Sequence, residues 1–135
     1  MIDCDGPSMA RWTITALVCA AALVAVAGCG ESDQEQAREV VQDYAEARNS
    51  GDFQAVCDLY SDKLVVQLGT DDCPAFIEEQ TAGAEGEQQL EVVDVRVSDD
   101  VATAEIDVVS EAAGPSRVVV RLSEQDGDWR ITGLQ

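Results

Sequence analysis

Four stretches with apolar residues at every second position occupy roughly the last third of this chain. Val93, Val95 and Val97 alternate with Asp94, Arg96 and Ser98. Ala102, Ala104, Ile106 and Val108 alternate with Thr103, Glu105 and Asp107. Val118, Val120 and Leu122 alternate with Val119, Arg121 and Ser123, and a last run spans Trp129 to Leu134. Strand side chains point alternately to opposite faces, so each run has one apolar and one polar face. Asp99-Asp100, Ala113-Gly114-Pro115 and Asp126-Gly127 separate the runs. Breaks this short can only join neighbouring strands antiparallel, and Asp-Gly is a strong hairpin signal. Leu90 and Val92 fall on the wrong parity for the first run, which a bulge near Val92-Val93 would reconcile.

A sheet with one apolar face needs a cover, and the preceding residues supply one in helical spacing. Ser32-Asp33-Gln34-Glu35 fits a capping box, after which Ala37, Val40, Val41, Tyr44 and Ala47 share a face and Asn49-Ser50-Gly51 ends the helix. Asp52 caps a second helix with Phe53, Val56, Cys57 and Tyr60 on one stripe, so Cys57 points inward. Residues 61–71 fit no single pattern; Leu64 to Leu68 reads equally as a helical turn or a short extended piece. Asp72 before Cys73-Pro74 starts a third helix, with Phe76 and Ile77 as its apolar contacts, and it ends between Thr81 and Gly86. The expected architecture is α+β, with N-terminal helices packed on one face of an antiparallel sheet of about four strands.

The first residues read differently. Trp12 to Ala27 carry no charge and follow Arg11. About 16 residues are short for roughly 30 Å of hydrocarbon but suit the apolar core of a signal peptide. Asp3 and Asp5 fit such a peptide poorly, and Met9 makes a better start. Val26-Ala27-Gly28-Cys29 resembles the lipobox of bacterial lipoproteins, with valine in place of the commoner leucine. That resemblance implies cleavage between Gly28 and Cys29, a diacylglyceryl group on Cys29, a tether over 29–35 and a domain over 36–135. The protein would be lipid-anchored on the extracytoplasmic face of the cell membrane. The competing reading is an ordinary signal peptide with Cys29 incidental.

Cleavage there would remove Cys4 and Cys19, and lipidation would occupy Cys29. Cys57 and Cys73 remain, and an even pair in an exported domain suggests a disulfide. Charge narrows the partners further. With 27 acidic residues against 8 basic ones and a net charge of −19, the surface repels nucleic-acid phosphates.

Element order and several stretches together resemble the NTF2-like superfamily, in particular small actinobacterial lipoproteins of SnoaL/DUF4878 type. The matching stretches are Val40-Val41-Gln42-Asp43-Tyr44, Asn49-Ser50-Gly51-Asp52, Cys57-Asp58-Leu59-Tyr60-Ser61, Cys73, and the ending Asp126 to Leu134. The resemblance implies a curved sheet wrapped around helices, forming a cone whose mouth can open into an apolar pocket. Cys57–Cys73 would then tie the second helix to the third. It also implies a homodimer through the sheet, since members often associate that way. Members include isomerases, dehydratases, polyketide cyclases and domains that only bind, so fold leaves function open.

The chemical signals are sparse. The sequence has no histidine, which excludes His-dependent acid–base chemistry. Tyr44 lies on the apolar stripe of the first helix beside Asp43; the pair reads as one core and one solvated residue, or as a proton-transfer pair. Asp71-Asp72, Asp99-Asp100 and Asp126-Gly127-Asp128 lack the spacing of a calcium loop and read as turn chemistry. Zinc would need both thiols and finds no imidazole, so neither metal nor cofactor is expected. Trp129 shares a strand face with Ile131 and is expected against the helices. With Tyr44 and Tyr60 it is also a candidate for the pocket wall. The leading expectation is a non-enzymatic domain binding a small apolar ligand or an envelope protein. Its rival is an isomerase or dehydratase using Tyr44, Tyr60 and a cone-facing carboxylate. A sensory or accessory subunit acting through protein contacts is a third.

Overall fold

The computed structural model describes residues 32–83 and 87–135. Arg11, the apolar run, Gly28 and Cys29 lie outside the described residues. Among the described residues four helices precede four strands: α1 (Asp33–Ser50), α2 (Phe53–Asp58), α3 (Asp62–Gln67), α4 (Cys73–Ala82), β1 (Gln88–Ser98), β2 (Val101–Ser110), β3 (Gly114–Gln125) and β4 (Asp128–Leu134). The strands form an antiparallel meander in the order β1-β2-β3-β4. Among the described residues no helix is long and apolar enough to cross a membrane.

Each helix starts where a side chain can accept an orphan N–H. Ser32 and Glu35 form the expected capping box on α1; Asp52, Ser61 and Asp72 accept from Ala55, Leu64 and Ala75 at 3.1 Å each. The helix count exceeds the expected three. The ambiguous stretch is helical because Ser61 caps it and Leu64 finds a buried place in the core. At the end of α1, Gly51 takes φ 76°, and the Asp52 N–H reaches back to the Ala47 carbonyl at 2.9 Å. That left-handed turn is what lets α2 begin at once.

Sheet registration explains the parity conflict. Val92 pairs with Ile106 and Asp94 with Glu105, leaving Val93 as the extra residue of a bulge. Leu90 and Val92 on one side, Val95 and Val97 on the other, thereby reach the same face; Val93 turns outward and is 44 % exposed. A second register shift, at Thr132 in β4, brings Leu134 opposite Val120. Bulges bend a strand and increase its twist, so the two curve the sheet toward the helices. The Asp126-Gly127 hairpin has φ 54° and 86°, the paired positive values of a type I′ turn. At Ala113-Gly114-Pro115 the chain does not break as expected. The turn lies at residues 111–113, and Gly114 and Pro115 already pair with Ser110 and Val109. Pro115 is tolerated because the pairing of β3 with β4 begins beyond it, so its missing N–H has no ladder partner to lose.

The core sits between α1 and the inner sheet face: Ala37, Val41 and Tyr44 meet Val95, Ala104, Ile106, Val120, Leu122 and Ile131. Fully burying a side chain such as Ile106, Leu122 or Ile131 stabilises by about 1.5–3 kcal/mol. Polar clamps set the angle of α1. Near its start Gln34 donates to the Val95 carbonyl. Near its end Asn49 accepts from the Leu90 N–H at 2.8 Å and donates to the Leu90 carbonyl at 3.0 Å. The far edge of the sheet is closed by Leu59 to Ser61, which bond to both sides of Ile131 at 2.9 Å. α4 packs on α2, and the Cys57 and Cys73 sulfurs are bonded, with Cα atoms 6.1 Å apart.

Candidate functional site

Asn49 ties the end of α1 to Leu90, and near that end the inner-face residues Gln88, Leu90, Val108 and Val118 are only partly buried. A cavity of about 270 Å³ opens there, between α1 and the inner face of all four strands. Leu90, Ile106, Val108, Val118 and Leu134 form its apolar wall; Tyr44, Arg48, Gln88 and Ser116 supply the polar groups. At roughly 30 Å³ per water, this is space for about nine waters, near the lower end of ordinary ligand sites.

Tyr44 and Arg48 share a face of α1, one turn apart. Tyr60 stands behind them, its ring centroid 6.3 Å from that of Tyr44. It is 4 % exposed, and among the described residues the buried Arg48 Nε has no hydrogen-bond partner. An unmet buried polar group costs about 1–3 kcal/mol. Burial raises the Tyr60 phenol above its ordinary range and the adjacent Tyr44 raises it further, while the Arg48 charge acts in the opposite direction. Tyr60 is therefore neutral at physiological pH.

The three aromatic candidates do not converge on one hollow. Tyr44 lines the cone cavity. Tyr60 also contributes to a surface hollow of about 400 Å³ beside the disulfide, with Asp58, Asp62, Asp126, Asp128 and Arg130. Trp129 is buried with Ile131 in the core and edges a third hollow, which Asp43 shares. Among the described residues its indole Nε1 has no hydrogen-bond partner. Asp43 itself is exposed on α1, so it does not pair with Tyr44 inside the cone. Among the described residues the cavity wall includes no Asp or Glu. Among the described residues no group of three or more His, Cys, Asp or Glu side chains is arranged to hold a metal ion. The outer sheet face is solvated and charged, with Arg117 bonded to Asp107 at 2.7 Å and Arg96 to Asp94 at 2.7 Å. Arg117 lowers the Asp107 carboxyl and is itself raised by it, as expected of an ion pair.

Arg48 was not a sequence candidate, because a cation in the last turn of a helix is ordinarily explained by the helix dipole. The available signal was its spacing, four residues after the buried Tyr44 on an otherwise apolar stripe.

Residues 37–135 match the SnoaL-like domain family. The chain belongs to that family. Helices followed by a curved four-stranded antiparallel sheet also place this SnoaL-like domain among NTF2-like structures. An NTF2-like protein of unknown function from Methylobacillus flagellatus superposes with a TM-score of 0.58 at 16 % identity, covering 79 % of this chain and 92 % of its own. A candidate ketosteroid isomerase from Kribbella flavida gives 0.52 at 20 % identity, covering 75 % and 78 %. A candidate polyketide cyclase from Sinorhizobium meliloti gives 0.51 at 16 % identity, covering 72 % and 94 %. At such identities the likeness concerns the fold. No curated protein matches the sequence.

Proposed function

We propose that this SnoaL-like domain is a lipid-anchored, extracytoplasmic binding module that takes a small, largely apolar molecule into its cone. The observation that carries the reading is the cavity: five aliphatic side chains form its wall, and the sheet curvature holds it open at the end of α1. Binding is favoured over acid–base catalysis because, among the described residues, Tyr44 has no carboxylate across the cavity to exchange protons with. The anchor rests on Cys29 at the end of the apolar run. Two or more acyl chains suffice for stable membrane attachment where one does not.

Native mass spectrometry of the protein from membranes of its own host tests both halves. The expected spectrum has a diacylglyceryl mass on a chain beginning at Cys29 and a bound small molecule that is lost in Val108→Trp, which fills the cavity. An empty cavity in the native protein would overturn the binding reading. A Cys29→Ser form that still fractionates with membranes would overturn the anchor.

A further inference from the structure

Among the described residues the polar lining of the cavity holds a cation and no carboxylate. Arg48 can only donate, whereas Tyr44, Gln88 and Ser116 can donate or accept, and the Tyr60 ring stands 6.3 Å from that of Tyr44. In a protein with 27 acidic residues, an arginine could readily have found a carboxylate. Yet among the described residues Arg48 forms no ion pair; those present belong to Arg96 and Arg117. Glu87 lines the adjoining hollow with Arg48 but makes no ion pair with it. The helix dipole accounts for a cation in the last turn of α1, but not for a buried Nε that meets no acceptor among the described residues. A guanidinium fork matches the two oxygens of a carboxylate, and the pairing strengthens away from water. Repulsion from the acidic surface is screened beyond about 8–10 Å in physiological salt, so it does not bar an anion from reaching Arg48.

We propose that Arg48 is the specificity residue of the cone, pairing with an oxyanion head, a carboxylate in the simplest case, on a ligand whose apolar tail lies against Leu90, Ile106, Val108 and Val118. The proposal rests on the cavity reading above and adds the head-group chemistry. Ligand selection would then divide between the two walls: the aliphatic side sets tail size and Arg48 sets head charge.

Calorimetric titration of the full chain at neutral pH with octanoate and with 1-octanol tests it, since the two probes share a tail. The expected result is that octanoate binds roughly ten- to a hundredfold more tightly than octanol, the range of one charge-assisted contact. In Arg48→Met this preference is lost while octanol binding persists, and octanol binding also verifies that the variant is folded. Arg48→Lys keeps the charge without the fork and retains part of the preference. Equal binding of both probes to the native chain, or an undiminished preference in Arg48→Met, would overturn the head-group assignment and leave the cavity reading standing. Binding of neither probe would overturn both.

Discussion

Opening the Cys57–Cys73 bond should loosen one element far more than the rest. Reduction keeps both side chains in place, so its effect isolates the cross-link. The two cysteines are 16 positions apart, and closing a loop of about 15 residues stabilises by about 3 kcal/mol in the chain-entropy account. For a domain near 100 residues, that converts to a fall in Tm of about 12–24 °C. The packing says where the loss concentrates. α4 rests on α2, which is itself only six residues long, whereas α1 and the strands share the main core. Hydrogen exchange after reduction should therefore show the α4 amides losing protection well before those of β2 and β3. Cys57→Ala with Cys73→Ala should give the same pattern, with a somewhat larger loss from the buried sulfur volume. If Tm fell by less than about 5 °C and α4 stayed protected, the bond would not be what holds α4, and the reasoning would fail.

Three further outcomes follow from particular contacts. Ile131 is fully buried and bonded on both sides by Leu59 and Ser61, so Ile131→Ala should cost about 2–5 kcal/mol in urea unfolding, and a loss under about 1 kcal/mol would contradict its place in the core. Asn49→Ala removes both hydrogen bonds to Leu90 and should cost about 1–2 kcal/mol, together with faster exchange of the Leu90 amide. Tyr60 holds its proton more tightly folded than unfolded, so its contribution is complete below the ordinary phenol value of 10.0 and is lost as pH rises above it. Tyr60→Phe should therefore flatten the alkaline end of the stability profile; an unchanged alkaline slope would refute the assignment.

The binding reading joins two levels of the structure. Bulges at Val93 and Thr132 are local backbone events, yet they curve the sheet and bring Leu90 and Leu134 to the cavity wall. Asn49 then fixes how much of that wall α1 leaves uncovered. Arg48 and Tyr44, one turn apart, place charge and hydroxyl at the boundary between covered and open sheet.

Much of this architecture is legible in residue order, since the signals are local. The capping box at Ser32 and Glu35, the stop at Gly51, the caps at Asp52 and Asp72 and the turn at Asp126-Gly127 each act within four residues. Period-two alternation carries the strands for the same reason, because it reports one face meeting a core. The stretch after Tyr60 was not legible: Leu64 to Leu68 suits a helix or a strand until Ser61 is held by Ile131, some seventy positions away. The same holds for the site. Sequence spacing singled out Tyr44, Tyr60 and Trp129 as large aromatic residues near apolar stripes, but which hollow each faces depends on curvature and register. Residue order by itself determined the α+β class, the meander and the residues of the core, through propensities and periodicities that operate over a few positions. Only the tertiary structure decided that Arg48 lies at a cavity with its Nε unmet among the described residues, because whether a charge is paired depends on which distant residues the fold brings near it.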